Sequence, residues 1–566
     1  MECRVRRKYS TTNPNKKVTQ AERNRSIARL ILGLQEPKYK SPLILLRYNK
    51  QASMKENTSF FTSRAAWVTA LIVIFFLGFA IRFYDLTDLP LDFHPTRQML
   101  SALKARGMYY QTLTDAPTEE RAFAIQQWKF RASVEPEFFE RIVAFTYQYT
   151  GEELWVSRLY SSTFWMVGAV FLFLLARKLT SIDGALGTLA FYLFLPYAVT
   201  ASRSFQPDPL MVMLIILFWW AVYEWANLFA AKNIHELGVS KRSWVFAILA
   251  GLFGGFAIFI KFVAAFFVIG GGVGALLLGR RSLPQVLKQP QVYVMSVLGI
   301  LPGAVYIVYG VWIAGYLGQQ FGGRFIPSYY LSPSYYFGWV NMLNLVIGAV
   351  PLMLALLGIF FFDSEKRRFM LALWAGYALF GLYFNYHIST HDYYSLPLIP
   401  IVALSIAPLA EFFFSKLIQH TSTHFLRIAA IGLLLFGIAA SLWNTRTQMK
   451  TVDYRPEANM WAEISQKVDG YNLAGLTQDY GSRMAYWGWR NITSWPTYGD
   501  LLYHDDLRGA QRDFENQFAN IAAKKDLFVV TDFTDLKRQP FLKEKLEQYP
   551  IFAEGDGYII YDLREK

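Results

Sequence analysis

Four short stretches hold the residue types that do acid–base or phosphate chemistry. The first is Leu91-Asp92-Phe93-His94-Pro95-Thr96-Arg97-Gln98. An Asp, a His and an Arg this close together can move a proton and hold a phosphate. The same residues can also start a helix at Pro95, with His94 and Arg97 merely interfacial. The second is Ala201-Ser202-Arg203-Ser204-Phe205-Gln206-Pro207-Asp208-Pro209. It offers Arg203 as a phosphate ligand and Asp208 as an orienting carboxylate, or else a polar turn that begins a helix through Pro209. The third is His387-Ile388-Ser389-Thr390-His391-Asp392-Tyr393-Tyr394. Its histidines and Asp392 are metal-ligating types that lack partners in sequence, and Tyr393 and Tyr394 suit a membrane-interface belt. The fourth is Lys261 at the end of an apolar run, where a lysine meets a lipid phosphate or snorkels.

The elements that must position these groups are membrane helices. The chain has 566 residues, 54% hydrophobic and 17% charged, against roughly 25% charged in soluble domains. Spanning a bilayer takes about 20 apolar residues. Eleven runs qualify as candidates. They are Ala65–Ile81, Leu159–Ala176, Ala185–Ala201, Leu210–Tyr223, Trp244–Ile260, Phe262–Leu278, Val292–Leu317, Tyr335–Phe362, Phe369–Tyr386, Leu396–Leu409 and Ile428–Trp443. None contains Asp, Glu, Lys or Arg, as expected when a mid-membrane charge costs about 2.5–3.5 kcal/mol. The split at Lys261 leaves one broken helix or two short ones open.

Alternate loops carry the basic residues: Arg177 and Lys178; Lys232, Lys241 and Arg242; Arg280, Arg281 and Lys288; Lys366, Arg367 and Arg368; Lys416 and Arg427. The positive-inside rule makes these cytoplasmic together with the N-terminal tail, and an odd span count puts the C-terminus outside. The tail, residues 1–64, holds 15 Lys and Arg against 4 acids, most of the net charge of +14. Beside a membrane helix it reads as an anchor to anionic lipid, expected to be disordered. It shows no nucleic-acid motif and no early apolar core of a signal peptide. Cys3 is the only cysteine, which excludes intramolecular disulfides and cysteine-based metal sites.

The expected architecture is therefore an α-helical polytopic membrane domain over 65–443, with about 11 helices, and a small extracytoplasmic α/β domain over 444–566. Outside lies a long first loop, 85–157, whose stretch Pro95–Tyr110 reads as an amphipathic helix on the membrane surface through Met99, Leu100, Leu103 and Met108. In the last domain, Asp526–Thr531 and Tyr558–Leu563 read as strands, and Pro456–Val468 and Leu507–Ala523 as helices. All four chemical stretches fall on the outer side, and that convergence argues for one site there.

This arrangement resembles the polyprenyl-phosphate-sugar-dependent glycosyltransferases of the GT-C superfamily, especially the protein O-mannosyltransferase and aminoarabinose transferase branch. The signature is an acidic motif in the first outer loop soon after an Arg ending the first helix, and Arg82 with Asp92-Phe93-His94 occupy those places. It continues through Ser157-Arg158-Leu159, Arg177-Lys178-Leu179, the Pro196 to Asp208 stretch, Gly255–Lys261 and Tyr393-Tyr394-Ser395-Leu396-Pro397, covering about 65–415. Phe93 stands where the family often has Glu, which leaves a second acid, and a divalent metal with it, open. No cofactor is otherwise expected. The resemblance implies a GT-C fold and transfer of a sugar from a polyprenyl-phosphate donor to a protein, lipid or glycan acceptor at the outer face of a plasma or inner membrane. It implies Asp92 as general base with Asp208 as runner-up. Donor or acceptor binding would fall to Arg82, His94, Arg97, Gln98, Arg203, Lys261, His391, Tyr393 and Tyr394. The leaving group is already activated, so one base and several cations suffice, unlike the paired carboxylates of glycoside hydrolysis. The competing classes are a lipid-linked-glycan flippase, which would carry polar groups at mid-membrane and internal repeats, and a non-catalytic envelope scaffold.

Overall fold

The first apolar run becomes the helix Arg64–Phe83 because its start is capped: the Ser63 hydroxyl accepts from the Ala66 N–H at 3.0 Å. The computed structural model describes residues 60–564 apart from 62, 132, 231–240, 279–282, 319–324, 421–423, 507–508 and 510–512. Cys3 and all of the basic tail before residue 60 lie outside the described residues.

Each of the eleven runs falls on helix. Seven helices are long and apolar enough to cross a membrane, and the bent pair Pro333–Val346 and Ala349–Phe361 makes an eighth if taken as one span. The helices Ile182–Phe194 and Ala264–Leu276 have 13 residues each, about 20 Å at 1.5 Å per residue, short of the hydrocarbon thickness on their own. The former continues through Leu195 into Pro196–Ala201. The run with Lys261 is two helices, Lys241–Ile260 and Ala264–Leu276, broken at the lysine itself. The bend of 92° occurs at Gly348, whose φ of +86° suits glycine. Side chains such as Ile72, Phe76, Trp312, Phe337 and Phe436 are more than half exposed along these helices. Apolar surface of that extent belongs against lipid, and the chain is an integral membrane protein.

Between the first two spans lie three helices, Pro95–Thr112, Thr118–Phe130 and Phe138–Thr150. The helix beginning at Pro95 differs from the expected interfacial one. Met99, Leu103 and Met108 are buried with Trp128, Phe139, Val143 and Tyr147 in a core of their own. Protein rather than lipid covers the apolar stripe, because the two following helices and the C-terminal domain supply enough surface to bury it. Gly107 permits the approach: a Cβ there would stand 2.4 Å from Trp128 Cβ and 2.5 Å from the Ala124 carbonyl.

The last membrane helix, His424–Met449, runs past the expected end at Trp443. The C-terminal domain then carries a five-stranded sheet in the order β2-β1-β3-β5-β4, formed by β1 Leu473–Leu476, β2 Ile492–Ser494, β3 Leu527–Val530, β4 Ile551–Gly555 and β5 Tyr558–Asp562. β1 runs parallel to β2 and β3, while β5 is antiparallel to β3 and β4. Leu527–Val530 is buried on both faces, as expected for a central strand covered by helices on each side. The helix expected over Leu507–Ala523 is instead Tyr498–Asp506 and Phe514–Ala522, and most residues between them lie outside the described set.

Candidate functional site

His94 opens the site. It caps Pro95–Thr112 with φ 46° and ψ 63°, a left-handed conformation that a non-glycine residue adopts only under constraint. The constraint is visible: His94 Nε2 stands 2.5 Å from Asp392 Oδ1, and the ring meets Phe93 and Tyr393 edge-on at 4.6 and 4.7 Å. Burial would raise the Asp392 carboxyl, but its bonding to His94 outweighs that and lowers it. One turn into the helix, Arg97 Nη2 lies 2.8 Å from Glu135 Oε1. Burial opposes ionisation of Glu135, yet Arg97, Lys261 and Lys104 overcome it and hold the carboxyl down to about 2.

Lys261 sits at the helix break, where its N–H still reaches the Ala257 carbonyl. Its Nζ lies 2.9 and 3.0 Å from the two oxygens of Asp208, the first residue of the helix Asp208–Ala230. Both side chains are buried, and the ammonium also lies 5.1 Å from the Tyr393 ring and 5.4 Å from the Tyr394 ring. Burial, then His94, lowers His391 to about 4, so it is neutral at pH 7. Burial pushes the Tyr393 hydroxyl well above its usual range, leaving it a donor. His94, Arg97, Asp208, Lys261, His391, Tyr393 and Tyr394 thus gather with Glu135 and Asp392 on the face that carries the C-terminal domain.

The remaining expected residues form a second group with other partners. Asp92 Oδ2 pairs with Arg158 at 3.0 Å, and Arg158 also donates to the Leu89 carbonyl. Among the described residues, the one hydrogen bond to Asp92 Oδ1 comes from Gln98 Nε2 at 3.4 Å. Gln98 otherwise braces backbone, donating to the Phe93 carbonyl and accepting from the Phe205 N–H. Arg203 donates to the Asp85 carbonyl and touches Met449 Sδ. Arg82, fully buried, donates to Ser202 and to the carbonyls of Gly78 and Leu193. The structure does not bring Arg82 or Arg203 to Lys261. They are taken up largely by backbone carbonyls, those of Gly78, Leu193 and Asp85, a demand that buried backbone makes strongly.

Sequence reasoning missed Glu135, and gave Asp392 only a metal-binding role. Glu135 carries no periodic or motif signal; its one clue is its place in the long first loop, on the same side as the other charged groups. Among the described residues no three His, Cys, Asp or Glu side chains are grouped to hold a metal ion.

The fold has counterparts among solved structures. ArnT from Cupriavidus metallidurans, bound to undecaprenyl phosphate, aligns over 88% of this chain and 98% of its own at 15% identity, TM-score 0.55. Its apo state aligns over 87% and 98% at 15% identity, TM-score 0.54. The chain has the fold of the GT-C glycosyltransferases. A second GT-C structure, the oligosaccharyltransferase AglB from Archaeoglobus fulgidus in complex with an inhibitory peptide and a dolichol-phosphate, aligns over 82% of this chain and 69% of its own at 10% identity, TM-score 0.50. Residues 135–309 match the family model described as dolichyl-phosphate-mannose-protein mannosyltransferase. The matched segment begins at Glu135 and includes Asp208 and Lys261. No curated protein matches the chain in sequence.

Proposed function

We propose that this protein is a membrane glycosyltransferase that moves a sugar from a polyprenyl-phosphate donor to an acceptor hydroxyl or amine at the non-cytoplasmic face. The observation that carries this reading is the pairing of two cations, the buried Lys261 and the partly buried Arg97, with Asp208 and Glu135 at one end of the helices. Such cations, held in place and largely shielded from solvent, neutralise a departing phosphate without reorganising. The lipid phosphate must stay near the membrane boundary, where the break at Lys261 lies. The acceptor oxygen or nitrogen attacks the anomeric carbon, the bond from that carbon to the phosphate oxygen breaks, and the electron pair leaves on the phosphate. The acceptor's proton goes to Asp92, which Arg158 fixes by one oxygen while the other is only loosely engaged.

A second reading of the base rests on the 2.5 Å contact of His94 with Asp392. A carboxylate-oriented imidazole is also a proton acceptor. ArnT with its undecaprenyl phosphate and AglB with its dolichol-phosphate and peptide support a lipid phosphate as donor carrier. The alternation of basic loops supports a cytoplasmic N-terminus and an outside C-terminus.

The test is reconstitution of the full chain in liposomes with a radiolabelled polyprenyl-phosphate sugar and envelope extract. Label transfer that disappears in Lys261→Ala while donor is still present supports the reading. Movement of intact donor across the bilayer without transfer would make the protein a flippase instead.

A further inference from the structure

A cavity of about 660 Å³ lies between the loop helix Thr118–Phe130 and the sheet edge of the C-terminal domain, apart from the charged pairs above. Its walls are tied together: Gln127 Nε2 donates to Asn491 at 2.5 Å, and Arg131 donates to Ser482 Oγ at 3.2 Å and to Gln127 at 3.0 Å. The lining has a consistent chemistry. Arg131, Arg490 and Lys525 line it and no Asp or Glu does, among the described residues. Arg490 is offset by Asp469. Arg131 has no carboxylate partner among the described residues, and its Nε is buried without a hydrogen bond. Burial lowers Arg131 to about 10, which still leaves it charged at neutral pH.

Aromatic side chains share the lining with these cations. Phe130 is 84% exposed and Tyr480 43% exposed, and both line the cavity with Trp489. Side-chain amides of Gln126 and Asn472 complete the wall. Backbone strain is concentrated here as well. Of the six non-glycine residues with positive φ among the described residues, Tyr480 and Trp489 line the cavity, and Asp479 and Lys524 adjoin lining residues. Strained residues persist where surrounding structure over-determines them, and they cluster at ligand sites.

Each component fits one kind of molecule. Aromatic rings pack against the C–H faces of pyranoses, amides match hydroxyls as donor and acceptor, and a guanidinium without a carboxylate partner attracts a carboxylate or phosphate. We propose that this cavity binds an anionic saccharide, and that this saccharide is the acceptor or part of it. The binding assignment stands by itself; the acceptor role rests on the transferase reading. A physical link joins the two places. Asp479, beside Tyr480 in the wall, accepts from the Thr96 hydroxyl at 2.7 Å, and Thr96 lies between His94 and Arg97. A ligand that reorders the Asp479–Tyr480 turn therefore acts on the first turn of the helix that carries the site.

The experiment measures binding to the full chain in lipid nanodiscs, without donor. The probes are tetragalacturonate, a singly phosphorylated maltotetraose, neutral maltotetraose and inorganic phosphate. The expected result is that at least one anionic tetrasaccharide binds tenfold or more tightly than both maltotetraose and inorganic phosphate. The carboxylated and phosphorylated probes then identify which anion the site takes. Arg131→Gln and Lys525→Gln should each weaken it at least fivefold, as should Phe130→Ala, an exposed position whose truncation spares the core. The proposal is overturned if neither anionic probe exceeds both controls, or if Lys525→Gln and Phe130→Ala bind like the parent. Saccharide binding that persists while labelled donor gives no transfer would sink the transferase reading and leave the site standing.

Discussion

The buried pair of Lys261 and Asp208 can be structural, functional or both, and the two roles respond differently to substitution. Removing one partner strands a buried charge, which costs about 3–5 kcal/mol, whereas replacing both with apolar residues is often neutral. Lys261→Met and Asp208→Leu alone should lower the melting temperature of the detergent-solubilised protein, and the double variant should recover it. If Lys261 also meets the donor phosphate, the double variant still fails to bind donor; recovery of both would make the pair purely structural. Glu135 adds a pH signature. Its folded value lies below that of an ordinary carboxyl, so its contribution to stability is complete above about pH 4.3. It is lost as pH falls toward about 2. The stability difference between the parent and Glu135→Gln should shrink only in that window. For the base, Asp92→Asn should cost about 10²–10⁴-fold in turnover with donor binding kept. If Asp392→Asn loses that much and Asp92→Asn does not, the proton goes to His94. The charged stretches were legible from residue type and shared sidedness. Which cation meets which acid was not, because pairing depends on where helices break in space: Arg82 and Arg203 look as suitable as Lys261 in sequence, yet both are taken up by backbone carbonyls.

Elements were more legible than pairings. A charge-free apolar run is nearly forced to be helix in lipid, since only there are all backbone groups satisfied within the segment. The bend at Gly348 escaped notice because its flanks are as apolar as any straight span. β1, Leu-Ala-Gly-Leu, escaped because four residues give no alternation to read. The interfacial reading of Pro95–Tyr110 failed for a different reason: an apolar stripe fits lipid and protein equally, and only the fold shows which covers it. This helix carries His94 at its cap and Arg97 in its first turn, so its seating should govern the site. Gly107→Leu puts a side chain where a Cβ would already meet Trp128 and the Ala124 carbonyl. Overpacking of this kind costs about 1–3 kcal/mol. The variant should melt earlier, expose the Thr118–Phe130 segment to protease and lose turnover, although position 107 is three turns away from His94. Normal turnover with the helix pair loosened would show that the site does not depend on this seating.

At the scale of the whole molecule, the C-terminal domain is fastened to the loop layer at several points, among them the Gln127–Asn491 and Arg131–Ser482 bonds of the cavity wall. Arg455 pairs with Asp85 just beyond the first span. Asp479 holds Thr96 beside the site. Arg106, buried in the loop layer, stacks 3.5 Å over the Tyr486 ring, donates to the Tyr486 carbonyl and pairs with Glu152, which also accepts from the Tyr486 hydroxyl. Ala485 and Tyr486 belong to the same buried cluster as Met99, Leu103 and Phe139. The domain therefore completes the core of the loop that carries Asp92, His94, Arg97 and Glu135. Ending the chain after Met449 removes all of these fastenings and leaves Arg106 facing Glu152 alone in an opened core. None of the membrane helices is shortened by this cut, so insertion should survive. Transfer activity in liposomes should fall by at least 10²-fold, in keeping with the sensitivity of positioned groups to displacements of about 1 Å. Adding back residues 450–566 as a separate polypeptide should restore part of it if those contacts suffice for docking. A truncated chain that inserts and transfers sugar at the parental rate would show that the loop layer holds the site unaided, and that the domain serves acceptor binding alone.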